Sequence, residues 1–202
     1  MGQIHSVCKK NKTEEDVVEE LNLSYQNLTV LPPLHSGLKV LYCQGNQLTA
    51  LPPLPSGLEV LICWNNQLTE LPPLPFGLKE LNCWDNQLTE LPPLPSGLKK
   101  LSCCSNKFTE LPHLPSGLKN LHCYTNRLTA LPLLPSGLET LYCYSNPLEY
   151  KGTTIEEIRK EQEERKNIWM TNMIVYGKVK QEMGLCKETK LDWLVKNIIS
   201  HF

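Results

Sequence analysis

The residues able to do chemistry are nine cysteines and five histidines in a chain of 202 residues. Nine thiols could hold metal, form disulfides or supply a nucleophile. Six of them, Cys43, Cys63, Cys83, Cys103, Cys123 and Cys143, recur at a fixed interval of 20 residues, each two positions after a Leu. Structural zinc sites gather their cysteines at short C-x-x-C-type spacings, so a long period between leucines reads as core. The odd count excludes complete internal pairing, and no apolar run follows the basic start that a secretory leader needs. Free thiols in a reducing, cytoplasmic compartment are therefore expected. Cys104 falls in an alternate slot of its strand and is expected to be the exposed thiol of the array. His5, His35, His113, His122 and His201 have no Cys or Asp partner at ligand or catalytic spacing. There is no phosphate loop or nucleophile elbow. The sequence predicts no catalytic residue, no metal site and no cofactor.

The cysteines belong to a repeat. The segment Leu51–Glu70, LPPLPSGLEVLICWNNQLTE, returns in six units that run without insertion from Leu31 to Tyr150. A degenerate half unit precedes them, with Val18, Leu21, Leu23 and Leu28 in the slots of Leu38, Leu41, Cys43 and Leu48. Within each unit, L-x-C alternates in the period of a half-buried strand. Leu41 and Cys43 then point inward, and Tyr42 and Gln44 outward. A single unit cannot bury its own apolar edge, so stacked neighbours must supply the core. The Asn column from Asn46 to Asn146 predicts a ladder of satisfied amides at the bend. The Pro-rich stretch can be neither helix nor central strand, and fits an extended, polyproline-like outer side. The glycine of S-G-L is expected to carry a positive φ.

The pattern LPxLPxGLxxLxCxxNxLTx resembles the short leucine-rich repeats of bacterial effector proteins of the YopM and IpaH type. Its Cys is similar to that in the repeats of giant DNA virus leucine-rich-repeat proteins. The resemblance spans Val18 to Tyr150. It implies a leucine-rich-repeat solenoid with a parallel β-sheet on the concave face. It also implies an interaction protein, because such arrays bind proteins. The ligase branch of these effectors carries a catalytic Cys-x-Asp arrangement. Here Cys186 lies in Leu185-Cys186-Lys187-Glu188, which departs from it.

The organisation follows. Residues 1–13 read as a flexible N-terminal segment, 14–30 as the half repeat, 31–150 as six repeats and 151–202 as a helical C-terminal cap. Thr153 and Thr154 each precede a Glu by three residues, a capping box twice over, at the start of one or two helices ending near Gly184. A further amphipathic face starts at Thr189 and runs through Leu191, Leu194, Val195, Ile198, Ile199 and Phe202. At the other end, Met1-Gly2-x-x-x-Ser6 matches the N-myristoylation pattern, with Gly2 as acceptor. One acyl chain anchors weakly, and a palmitoylated Cys8 or the cluster Lys9, Lys10 and Lys12 would supply a second signal.

The outward slots form two columns. They run Ser24, Gln44, Trp64, Trp84, Cys104, Tyr124, Tyr144 and Asn22, Tyr42, Ile62, Asn82, Ser102, His122, Tyr142. These slots vary while the framework hardly does, and seven of the fourteen are aromatic or Ile. An exposed aromatic patch marks a protein interface. Tyr42, Ile62, Trp64, Trp84, His122, Tyr124, Tyr142 and Tyr144 are the expected contact residues. The alternative is an adaptor or ubiquitin-ligase-type recognition protein whose C-terminal helices recruit other machinery. A net charge of −1 gives no basic field for nucleic acid. Lys79, Lys99, Lys100 and Lys119 before the strands and Glu70, Glu90 and Glu110 after the bends predict rims of opposite sign, which would orient a partner.

Overall fold

Each unit contributes one very short strand because its polar and apolar residues alternate for only a few positions before the chain bends. In a computed structural model, which describes residues 19–152 and 154–182, the strands are β1 (Glu20–Asn22), β2 (Val40–Tyr42), β3 (Val60–Ile62), β4 (Glu80–Asn82), β5 (Lys100–Ser102), β6 (Asn120–His122) and β7 (Thr140–Tyr142). They form one parallel sheet in sequence order. The register is one repeat throughout, so Leu41 lies beside Leu61 and Leu61 beside Leu81. The coil is a leucine-rich-repeat solenoid.

Uniform register puts like beside like. Leu41, Leu61, Leu81 and Leu121 are fully buried, as are Cys43, Cys63, Cys83, Cys103 and Cys123, with Leu48, Leu68, Leu88, Phe108 and Leu128 behind them. Each fully buried Leu contributes about 2 kcal/mol of apolar transfer energy. The Pro-rich segments have no helix or strand, consistent with an extended outer side. Burial pushes the Cys43 thiol up to about 12 and raises those of Cys63, Cys83, Cys103 and Cys123 as well. These are neutral thiols acting as small apolar side chains.

The Asn column closes the bend. Asn66 Oδ1 accepts the Leu48 amide of the preceding turn at 3.0 Å. Its Nδ2 donates to the carbonyls of Cys43 and Cys63, both at 3.1 Å. Asn86, Asn106, Asn126 and Asn146 repeat the clamp. The left-handed residue lies just before each Asn: Gly45, Asn65, Asp85, Ser105, Thr125 and Ser145 all have φ between 49° and 66°. This corrects the expectation for the S-G-L glycines, none of which has a positive φ. Pro-Ser-Gly-Leu forms a turn closed by bonds such as Leu58 N to Pro55 O at 3.0 Å, and a turn of type I keeps both central residues at negative φ.

After the last repeat, Thr154 and Glu157 exchange the capping-box bonds at 3.0 and 3.2 Å. The helix α1 (Ile155–Glu182) follows as one element. Its first turns dock on the outer segment of the last unit. Ile158 is buried, and Gln162 binds the carbonyls of Leu131 and Pro132 and the amide of Leu134. Arg159 binds the carbonyls of Pro135 and Ser136. Val18, Thr153, Gly184, Cys186 and the amphipathic face beginning at Thr189 lie outside the described residues. Among the described residues no helix is long and apolar enough to cross a membrane.

Candidate protein-binding face

The outward residues of the strands meet across one repeat spacing, so their rings pack on each other. Trp64 and Trp84 stack at 4.9 Å with their planes 16° apart. Tyr124 and Tyr144 stack at 4.6 Å and 8°. His122 tilts against Tyr142 at 4.7 Å. The columns therefore hold ordered aromatic pairs. Tyr42, Trp64, Trp84, His122 and Tyr124 are half-buried, while Tyr142 and Tyr144 are 50% and 61% exposed at the end of the sheet. Ile62 faces outward but is 9% exposed, covered by its column neighbours. Burial lowers the His122 pKa, which favours the uncharged ring. His122 Nε2 and Gln44 Oε1, both on this face, are buried with no hydrogen-bond partner among the described residues.

Cys104 overturns its expectation. It is 1% exposed. It occupies an outward slot, but its side chain is short and lies between the column positions of two large rings. It interacts with Tyr124 and Ser102, and burial raises its pKa. The accessible thiol of the array is instead the half-buried Cys143 of the last turn. Among the described residues no group of His, Cys, Asp and Glu could hold a metal.

The charged rims also differ from expectation. Before the strands, Lys79 pairs with Glu59 at 2.6 Å, Lys100 with Glu80 at 3.1 Å and Lys119 with Glu139 at 2.7 Å. Lys79 holds the Glu59 carboxyl below its ordinary range. Stacking sets each charge beside the same slot of the next turn, and acids in those slots pair with Lys79, Lys100 and Lys119 but not with Lys99, whose slot neighbours are Lys79 and Lys119. Glu70, Glu90 and Glu110 remain exposed and outside these pairs. Such exposed pairs add little stability.

Two features were not singled out in the sequence. Tyr25, 62% exposed, sets its ring edge-on to Trp64 at 5.8 Å and lies over Gly45, where a Cβ would strike it. An aromatic in the degenerate half unit was the available signal, but it sits in the left-handed column rather than an outward one. On the outer side an open groove of about 550 Å³ runs along Glu90, Leu94, Glu110, His113 and Ala130. Gly2 and Cys8 lie outside the described residues.

The fold is a leucine-rich-repeat solenoid, and the leucine-rich-repeat family model of two copies matches residues 56–96. Among solved structures, YopM from Yersinia enterocolitica is 37% identical over 65% of this chain and 29% of its own, with a TM-score of 0.64. The leucine-rich-repeat domain of a Shigella effector is 38% identical over 69% of this chain and 63% of its own, at 0.63. YopM from Yersinia pestis is 37% identical over 65% of this chain and 38% of its own, at 0.63. The chain thus spans between 29% and 63% of the length of these structures. No curated protein matches the sequence.

Proposed function

We propose that this chain is a non-catalytic protein-binding module that works from its concave face through Tyr42, Trp64, Trp84, His122, Tyr124, Tyr142 and Tyr144, with Ile62 buried beneath its neighbours as support. The observation that carries this reading is the pairing of rings across neighbouring strands. Rings already held in place lose little side-chain freedom when a partner arrives, so more of the contact energy is retained as affinity. Trp and Tyr are also favoured interface anchors. The similarity to effector leucine-rich-repeat domains supports a binding role.

Affinity capture with the full chain, with Trp64→Ala/Trp84→Ala and with a chain ending at Tyr150 tests the proposal. Partners should be lost from the aromatic double variant and kept by the shortened chain. Loss only on shortening favours an adaptor acting through its C-terminal helices. Partners unchanged in a folded double variant sink the concave-face reading.

Membrane tethering is separable from this proposal. The pattern Met1-Gly2-x-x-x-Ser6, with Cys8 and Lys9, Lys10 and Lys12 close behind, supports acylation at Gly2 and peripheral attachment. Labelled myristate should enter through Gly2, and equal labelling of Gly2→Ala refutes it. The Cys-bearing repeat supports a viral or effector origin, and the proposed site of action is the cytoplasm, that of the host if the protein is viral.

A further inference from the structure

Among the described residues the solenoid closes only half of its last turn. At the six internal joints, each turn hands the same amides to the next. Cys123 N donates to Tyr142 O at 2.8 Å, Thr125 N to Tyr144 O at 3.0 Å and Leu128 N to Asn146 Oδ1 at 3.0 Å. The equivalent amides of Cys143, Ser145 and Leu148 have no acceptor among the described residues. The helix α1 occupies the other half of the turn, where Arg159 and Gln162 bind the carbonyls of the outer segment. Leu141 and Cys143 are consequently half-buried, although Leu121 and Cys123 are fully buried one turn earlier. Tyr142 and Tyr144 have packed ring partners in the preceding turn and remain exposed.

Exposed edge strands are usually blunted by lysine, proline or a bulge. Thr140, Leu141 and Tyr142 include no such residue, and Glu139 is held by Lys119 at 2.7 Å. We propose that β7 is a docking edge for an extended segment of a partner protein, added as an eighth parallel strand. The six joints already in the sheet define the chemistry of that segment. It carries aliphatic or thiol side chains beside Leu141 and Cys143 and planar ones beside Tyr142 and Tyr144. A side-chain amide oxygen reaches the Leu148 amide as Asn146 reaches Leu128. This inference concerns the sheet edge; it shares Tyr142 and Tyr144 with the concave-face reading but requires neither Trp64 nor Trp84, so the Trp64→Ala/Trp84→Ala variant separates the two.

The probe is a fluorescent peptide with the sequence of Gly117–Arg127, which carries a strand and its Asn. With the full chain it should show saturable binding in anisotropy. Binding should weaken at least tenfold in Tyr142→Lys/Tyr144→Lys and persist in Trp64→Ala/Trp84→Ala. A peptide with both Leu121 and Cys123 replaced by Asp should not bind. By NMR, the Cys143 and Ser145 amides should exchange fast in the free chain and slowly with peptide. Absence of saturable binding, or equal binding by the edge variant, overturns the proposal. So does slow exchange in the free chain, which would mean that another segment already covers the edge. Self-association that buries the edge and excludes the peptide overturns it in favour of a second copy.

Discussion

Replacing Asn86 by Ala tests what holds the turns together. Asn86 is 9% exposed. Its Oδ1 accepts the Leu68 amide at 3.0 Å, and its Nδ2 donates to Cys63 O at 3.2 Å and Cys83 O at 3.1 Å. Removing the side chain leaves a buried amide without a partner, at roughly 1–3 kcal/mol. The two carbonyls lose a donor each, and a carbonyl with a second lone pair suffers less than an amide. The expected loss is about 3 kcal/mol in total. Asn146 makes the same bonds, to Leu128 N at 3.0 Å, Cys123 O at 3.0 Å and Cys143 O at 2.9 Å. It is half-exposed, however, so water can replace the amide, and Asn146→Ala should cost about 1 kcal/mol. Urea unfolding followed by circular dichroism and Trp fluorescence measures both. At a slope near 2 kcal/mol/M, Asn86→Ala should lower the midpoint by roughly 1.5 M. If it costs no more than Asn146→Ala, burial of the clamp is not what gives it its strength.

Three further outcomes follow from the same packing. The buried thiols have folded pKa values raised above the ordinary 9.0, to about 12 for Cys43. Their contribution is fully present below pH 9 and is lost as pH rises toward 12, because the unfolded chain then releases protons that the folded chain keeps. Stability by urea titration should be level from pH 7 to 8 and fall at pH 10, and a rise at pH 10 would contradict the burial. Gly45→Ala places a Cβ against the Tyr25 ring at a residue with φ of 66°. It should cost about 2 kcal/mol and change Trp64 emission, read in one melt followed by fluorescence. Gln162→Ala removes bonds to Leu131, Pro132 and Leu134, and should destabilise the docked part of α1 by about 2 kcal/mol. Faster amide exchange at Ile158 with unchanged exchange at Leu81 is the expected signature.

The sequence by itself determined the repeat, its register and its core. A period of 20 residues with Leu, Cys and Asn in fixed slots admits one stacking, and β2 to β7 pair in that register. The Asn amides were legible because a polar side chain fixed among buried positions must find partners. Tertiary structure decided what depends on the neighbouring turn. The left-handed φ lies at Asn65, Asp85, Ser105, Thr125 and Ser145, residues of several types, so composition did not mark the slot and glycine drew attention elsewhere. Burial of Cys104 follows from its surroundings in the column, and neutralisation of Lys79 and Lys119 follows from the acids at their own slot in adjacent turns. The half-open last turn follows from where α1 docks, on the outer segment rather than the strand. A repeat specifies what one turn offers the next, and only three-dimensional stacking shows which offers are taken up and which, at β7, meet no acceptor among the described residues.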